Sequence, residues 1–126
     1  HGVAGLTTLA ALAQIQADVL VEATPVNLTD GEPALNAVKT ALTSGMHAVL
    51  ANKAPLALAY PAVAALSDMS GDFAKPKLRF SACVGGALPT INLGRRDLAG
   101  TVIHAVEGVL NGTTQYILRT MEQGGS

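Results

Sequence analysis

The chain has 126 residues, and its 49 % hydrophobic side chains are enough to furnish the core of an ordinary domain. A net charge of −1, with 13 % charged residues, leaves neither the basic stripe of a nucleic-acid binder nor an acidic solvating tail, and 3 % aromatics supply no stacking platform for single strands. The single cysteine, Cys83, excludes an internal disulfide framework, and His1, His47 and His104 are too scattered for a zinc signature, so the composition fits a reducing cytoplasm.

Leu6, Leu9, Leu12 and Ile15 recur every three residues and predict a helix that breaks at Asp18. This opening segment lacks acidic and basic side chains. Thr7, Thr8, Gln14 and Gln16, and the want of a basic leader, nevertheless make it neither a membrane span nor a signal peptide. Val19-Leu20-Val21-Glu22-Ala23 is short, mostly apolar and β-branched, and reads as a buried parallel strand. Thr24-Pro25 ends it, because proline has no donor for the ladder. After the turn residues Asn27, Asp30 and Gly31, Pro33 sits in a helical first turn, and Leu35, Val38 and Leu42 share one face. Gly45 closes that helix where positive φ is favoured.

His47-Ala48-Val49-Leu50-Ala51 is the second predicted strand, ending at Asn52-Lys53. Pro61 is expected to open the next helix, with Val63, Leu66 and Met69 facing inward and Gly71 as its stop. Leu78 to Val84 is the third predicted strand. Strand, helix, strand, helix, strand is the sequence form of parallel crossovers, so the fold class is α/β, a partial doubly wound Rossmann-like sheet. The pattern then changes. Pro89, Ile91, Leu93 and Leu98 suggest a helix ending at Gly100, Val102 to Leu110 alternates like a strand, and Thr114, Leu118 and Met121 mark a last helix stopped by Gly124-Gly125. A domain boundary is expected near Gly85, dividing the chain into 1–84 and 85–126.

Thr24-Pro25 and Asn52-Lys53 fall just past the carboxyl ends of adjacent predicted strands, the edge where an open parallel sheet holds a dinucleotide. A plain strand-to-helix turn accounts for the first pair equally well, and a solvated loop lysine for the second. Gly85-Gly86 brings backbone groups together with little side-chain cover, as a hinge or a binding loop would. Asn111-Gly112-Thr113-Thr114 forms a strand-to-helix junction whose free amides suit a carboxylate or a nicotinamide, while Asn111 as a helix cap explains the same residues.

Three segments in one order carry a resemblance: Ala51-Asn52-Lys53-Ala54-Pro55-Leu56, Val84-Gly85-Gly86-Ala87-Leu88-Pro89, and Glu107-Gly108-Val109-Leu110-Asn111-Gly112-Thr113-Thr114. From about Asp18 to Gly125 the chain resembles the homoserine dehydrogenases. The resemblance implies a fragment of an NAD- or NADP-dependent oxidoreductase that interconverts L-homoserine and L-aspartate 4-semialdehyde in threonine and methionine biosynthesis. It implies that 1–84 is the end of the nucleotide-binding domain and 85–126 the start of an α+β substrate and dimerisation domain. Lys53 is the implied catalytic lysine, moving a proton at the substrate oxygen; in a closed site beside an oxidised nicotinamide, desolvation and like charge would lower its proton affinity. Thr24, Pro25, Asn52 and Lys53 are the implied cofactor contacts, and Gly85, Gly86, Asn111, Gly112 and Thr113 the implied lining of the substrate site.

The family also holds a monovalent cation on this glycine loop, implying the backbone of Val84, Gly86 and Leu88 as ligands. Here Ser81 stands where the family has a carboxylate, Cys83 where it has threonine and Ala87 where it has glycine. The implied partners are a small-molecule substrate and a second subunit, without nucleic acid or membrane, in the cytoplasm. No Gly-x-Gly-x-x-Gly loop follows a first strand here, and the substrate-gripping carboxylates of the family have no counterpart, so an internal fragment with little activity of its own is the expectation. Two other readings compete. Ser81-Ala82-Cys83, with His104 downstream, resembles the phosphorylating aldehyde dehydrogenases, in which a thiolate attacks the aldehyde. The missing phosphate loop also suits a non-catalytic Rossmann-like interaction module.

Overall fold

The computed structural model describes residues 5–68, 75–86, 88–108 and 111–124. Two compact units divide the chain, His1–Cys83 and Val84–Ser126.

The first unit opens with α1 (Thr8–Gln14), whose N-terminus is capped by the Thr7 hydroxyl, accepting from the Ala10 amide at 3.2 Å. Strands β1 (Val19–Glu22), β2 (His47–Leu50) and β3 (Leu78–Arg79) form a parallel sheet in that order, with Val19 opposite His47 and Ala48 opposite Leu78. The link from β1 to β2 is α2 (Ala34–Thr43). Its entry turn is built by side chains: Asn27 accepts from the Thr29 amide and donates to Asp30, and Asp30 accepts from the Glu32 amide. Gly45, at φ +86°, closes α2 as expected. Its amide bonds the Leu42 carbonyl at 3.1 Å, and the Met46 amide bonds Ala41 at 2.9 Å, the paired bonds of a Schellman motif.

The core lies on one face of this sheet. Leu20, Ala48, Leu50 and Leu78 meet Val38 and Leu42 of α2 and Leu56 and Val63 of α3 (Ala54–Ala65). On the opposite face Val19, Val21 and Val49 are exposed.

Three sequence expectations change here. Helix α3 begins at Ala54, not at Pro61. Asn52 accepts from the Ala54 amide and Pro55 occupies the first turn, so the helix is started seven residues earlier, and Pro61 instead lies beside a kink at Ala59 (φ −143°, ψ 33°). The helix ends at Ala65 with Leu66 exposed, while Met69 and Gly71 lie outside the described residues. The third strand is only two residues long, because Ser81–Cys83 curls into a 3₁₀ turn that carries Cys83 back towards β2.

In the second unit, Thr90–Asn92 (α4) runs on as a π-helical turn, Leu93–Asp97, in place of a regular helix to Gly100. Residues 102–108 form no strand, since a ladder needs a partner and none is present among the described residues; Val109 and Leu110 lie outside them. Helix α5 (Gly112–Glu122) closes the unit, capped by Asn111, whose side chain accepts from the Thr114 amide at 3.1 Å. Gly124, at φ +77°, follows its end.

Candidate active site

The carboxyl ends of β1 and β2 lie side by side, tied by a bond from the Ala51 amide to the Glu22 carbonyl at 2.8 Å. This pairing brings the Thr24 and Asn52 loops together although they are 28 residues apart in sequence, with the Asn52 amide nitrogen 3.5 Å from the Thr24 hydroxyl. Asn52 is buried at 2 % exposure, and its carbonyl oxygen fixes the start of α3 through the Ala54 amide at 2.9 Å. A side chain so held cannot swing freely, so the loop bearing the next residue is rigid at its base.

That next residue is Lys53. It occupies the N-cap position of α3, its carbonyl accepts from the Leu56 and Ala57 amides, and its side chain is exposed. Among the described residues its ammonium has no ion-pair partner. Pro25, also exposed, follows Thr24 out of β1.

Glu22, which the sequence reading treated only as part of a strand, proves to be the anchor of this edge. It is buried at 3 % exposure. Its Oε1 accepts both from the Thr24 amide, at 2.9 Å, and from the Thr24 hydroxyl. Its Oε2 is buried without a partner among the described residues. The signal was present in the sequence: a lone charge within an apolar parallel strand has no solvent to meet and must find specific donors. Beside it lies a small cleft of about 60 Å³, bounded by Thr8, Leu20, Val21, Glu22, Thr24, Pro33, Ala34 and Ala37.

Cys83 forms the floor next to Asn52. Its Sγ lies 3.2 Å from the Leu50 carbonyl and 3.4 Å from that of Asn52, oxygens that accept from a thiol and repel a thiolate. Burial, and then the nearby Glu22 charge, push the thiol above its ordinary value. These surroundings are the opposite of those that activate a cysteine nucleophile.

In the second unit, Gly85 and Gly86 both adopt positive φ, +73° and +60°. A Cβ at Gly85 would lie 2.5 Å from the Thr90 hydroxyl, so the turn admits no other residue unstrained. The Gly85 carbonyl accepts from Leu88 and the Leu88 carbonyl from Thr90, which engages one of the three implied cation-ligating residues within the turn itself. Asn111 caps α5 and leaves the first-turn amides of Gly112 and Thr113 without helical acceptors. Among the described residues, no three His, Cys, Asp or Glu side chains form a metal-binding group, and no helix is long and apolar enough to cross a membrane.

The family model for homoserine dehydrogenase matches residues 89–126. Over 120 residues, 95 % of this chain, the sequence is 41 % identical to homoserine dehydrogenase of Methanocaldococcus jannaschii, covering 34 % of that protein. It is 37 % identical over 116 residues to the enzyme of Sulfurisphaera tokodaii, covering 92 % of this chain and 36 % of the relative. It is 38 % identical over 108 residues to the NAD(+)-dependent homoserine dehydrogenase of Pseudomonas canavaninivorans, covering 86 % of this chain and 30 % of the relative. The chain thus spans about a third of the length of the curated relatives it matches. Over nearly its whole length the chain is therefore similar to homoserine dehydrogenases, and its parallel sheet is the one expected from the sequence.

Proposed function

We propose that these residues serve an NAD- or NADP-dependent oxidation of L-homoserine to L-aspartate 4-semialdehyde, and its reversal, in threonine and methionine biosynthesis in the cytoplasm. The observation that carries the reading is the contact between the Thr24 and Asn52 loops at the carboxyl edge of the sheet, with the exposed Lys53 next in sequence. That edge is where an open α/β sheet takes a dinucleotide. The side chains present fit one: the Thr24 hydroxyl and the Asn52 primary amide suit the ribose hydroxyls and carboxamide of a nicotinamide dinucleotide. When bound, the nicotinamide supplies a hydride acceptor.

Lys53 then handles the proton. As the C–H of the substrate carbinol leaves with its electron pair, the O–H proton must leave too, and an amine at that oxygen accepts it; in the reverse direction the ammonium returns it. Asn52 keeps the base of the Lys53 loop fixed, and Thr24 and Pro25 shape the cofactor edge. Gly85, Gly86, Asn111, Gly112 and Thr113 line the substrate site in this reading, and residues 1–84 and 85–126 are the nucleotide-binding and catalytic portions of a homodimeric enzyme. A monovalent cation on Val84, Gly86 and Leu88 would meet only neutral oxygens, with Ser81 in the carboxylate position, and would be held loosely.

The test is reduced-nicotinamide absorbance from the natural full-length polypeptide supplied with L-homoserine and NAD+ or NADP+. Homoserine-dependent reduction without added phosphate is expected. Reduction only with an aldehyde and phosphate would instead support the cysteine mechanism.

A further inference from the structure

We propose that Glu22 is a positioning residue for Lys53, acting through Thr24 and Asn52 by a chain of hydrogen bonds whose direction it sets. The inference rests on the role given to Lys53 above and extends it to a side chain on a different strand.

A threonine hydroxyl has one proton to give, and Thr24 gives its own to Glu22 Oε1, which also accepts from the Thr24 amide at 2.9 Å. The Thr24 oxygen is left as an acceptor only. It therefore faces the amide nitrogen of Asn52, 3.5 Å away, and this turns the Asn52 carbonyl oxygen towards the Ala54 amide, at 2.9 Å. Ala54 is the first residue of α3 and Lys53 its N-cap, so the chain ends on the backbone that carries the lysine. Every donor points the same way, from Ala54 to Asn52 to Thr24 to the carboxylate, and bonds aligned towards an anion polarise one another. Glu22 and Asn52 are 3 % and 2 % exposed, which leaves water little access to replace a lost partner. The step from Asn52 to Thr24 is the longest, and the bond from the Ala51 amide to the Glu22 carbonyl, at 2.8 Å, keeps the two strand ends at this spacing.

For stability alone a glutamate is a poor choice here. Its Oε2 is enclosed without a donor among the described residues, a cost that an apolar side chain would avoid. An apolar side chain would also free the Thr24 hydroxyl to rotate and donate to the Asn52 oxygen, in competition with the Ala54 amide. The start of α3 and the base of Lys53 would then loosen together.

The experiment is a double-mutant cycle on kcat in the natural full-length polypeptide at saturating homoserine and cofactor, with circular dichroism to verify folding. Glu22→Leu is expected to lower kcat by about tenfold or more, since a displaced reacting group loses rate steeply. Glu22→Gln, which keeps an acceptor for Thr24, is expected to recover most of that loss. In a Lys53→Ala background Glu22→Leu should change kcat by less than about twofold, because no lysine is left to position. Equal losses in the two backgrounds mark a merely structural role and overturn the proposal, as does an unchanged kcat in Glu22→Leu. Hydrogen exchange of the Ala54 amide in the cofactor-free polypeptide gives a readout independent of turnover. Glu22→Leu should speed it by about fivefold or more, the size of one lost hydrogen bond, with the amides of α2 unaffected. Unchanged exchange at Ala54 overturns the proposal. If Glu22→Leu does not fold, Thr24→Val, which cuts the chain at its next oxygen in nearly the same volume, is measured in the same two ways, with the same expected and overturning results. Should the unaltered polypeptide reduce neither NAD+ nor NADP+ with homoserine, the dehydrogenase reading falls together with this inference; should it do so and Glu22→Leu act alike in both backgrounds, only the inference falls.

Discussion

Helices α2 and α5 differ by one residue in length and are both amphipathic, yet α2 buries Ala34, Ala37, Val38, Ala41 and Leu42 while α5 buries nothing. Ile117, Leu118 and Met121 stand exposed on α5 with Tyr116. The contrast extends to the units that contain them. Every buried residue of the described chain belongs to the first unit, in which sheet and helices cover one another, whereas the second holds together by turns and caps. An apolar stripe therefore records what a helix is prepared to bury, and only a facing surface converts it into stability. Thr24, Asn52 and Lys53, which stand on the packed unit, are held on a rigid base.

The largest expected effect sharpens this contrast. Leu50→Ala, at a fully buried position of β2, should destabilise the first unit by about 3 kcal/mol in a denaturant titration, as the cavity and lost transfer terms add. Leu118→Ala, of identical chemistry on α5, should change stability by no more than about 0.5 kcal/mol in the 126-residue chain. Equal effects would break the comparison.

A smaller effect is expected where a cap replaces packing. Asn111→Ala removes the acceptor of the Thr114 amide and should cost α5 about 1 kcal/mol, read as faster hydrogen exchange of its amides with no change in those of α2. The smallest concerns Cys83. Because its thiol is pushed up in the folded state, the native protein holds that proton more tightly than the unfolded chain does. Its contribution to stability is therefore present below the ordinary thiol range and declines as pH rises from that range towards the folded value. Alkylation by iodoacetamide near pH 7 should be slower than for a free thiol by about tenfold or more, and Cys83→Ser should retain most activity. Rapid alkylation blocked by substrate would restore the cysteine mechanism.

How much of this was legible in the sequence depended on whether the signal was local. Strands β1 and β2, the Gly45 closure and the Asn111 cap follow from side chains within a few residues of where they act. The early start of α3 was also written locally, as Asn52 followed by Pro55, but Pro61 offered a competing start. Elsewhere the outcome is set by distant groups. Leu78 to Val84 has strand composition throughout, yet pairing stops at Arg79 and Cys83 turns towards carbonyls of Leu50 and Asn52, more than thirty residues upstream. The alternation after Val102 lacks a partner ladder among the described residues. Of the site, the Thr24 and Asn52 edge was legible from strand ends, whereas Glu22 was missed because its burial and its single free oxygen appear only once Thr24 folds back onto it.

The central claim is that Lys53, exposed on the base fixed by Asn52, handles the substrate proton. The most direct test is steady-state kinetics of Lys53→Ala in the natural full-length polypeptide, with cofactor binding measured separately. A fall in kcat of about a hundredfold or more with cofactor affinity retained is predicted, the range usual for a general acid–base group. A rise in KM alone would make Lys53 a binding residue, and near-normal kinetics would return it to a solvated loop lysine; either result would contradict the account.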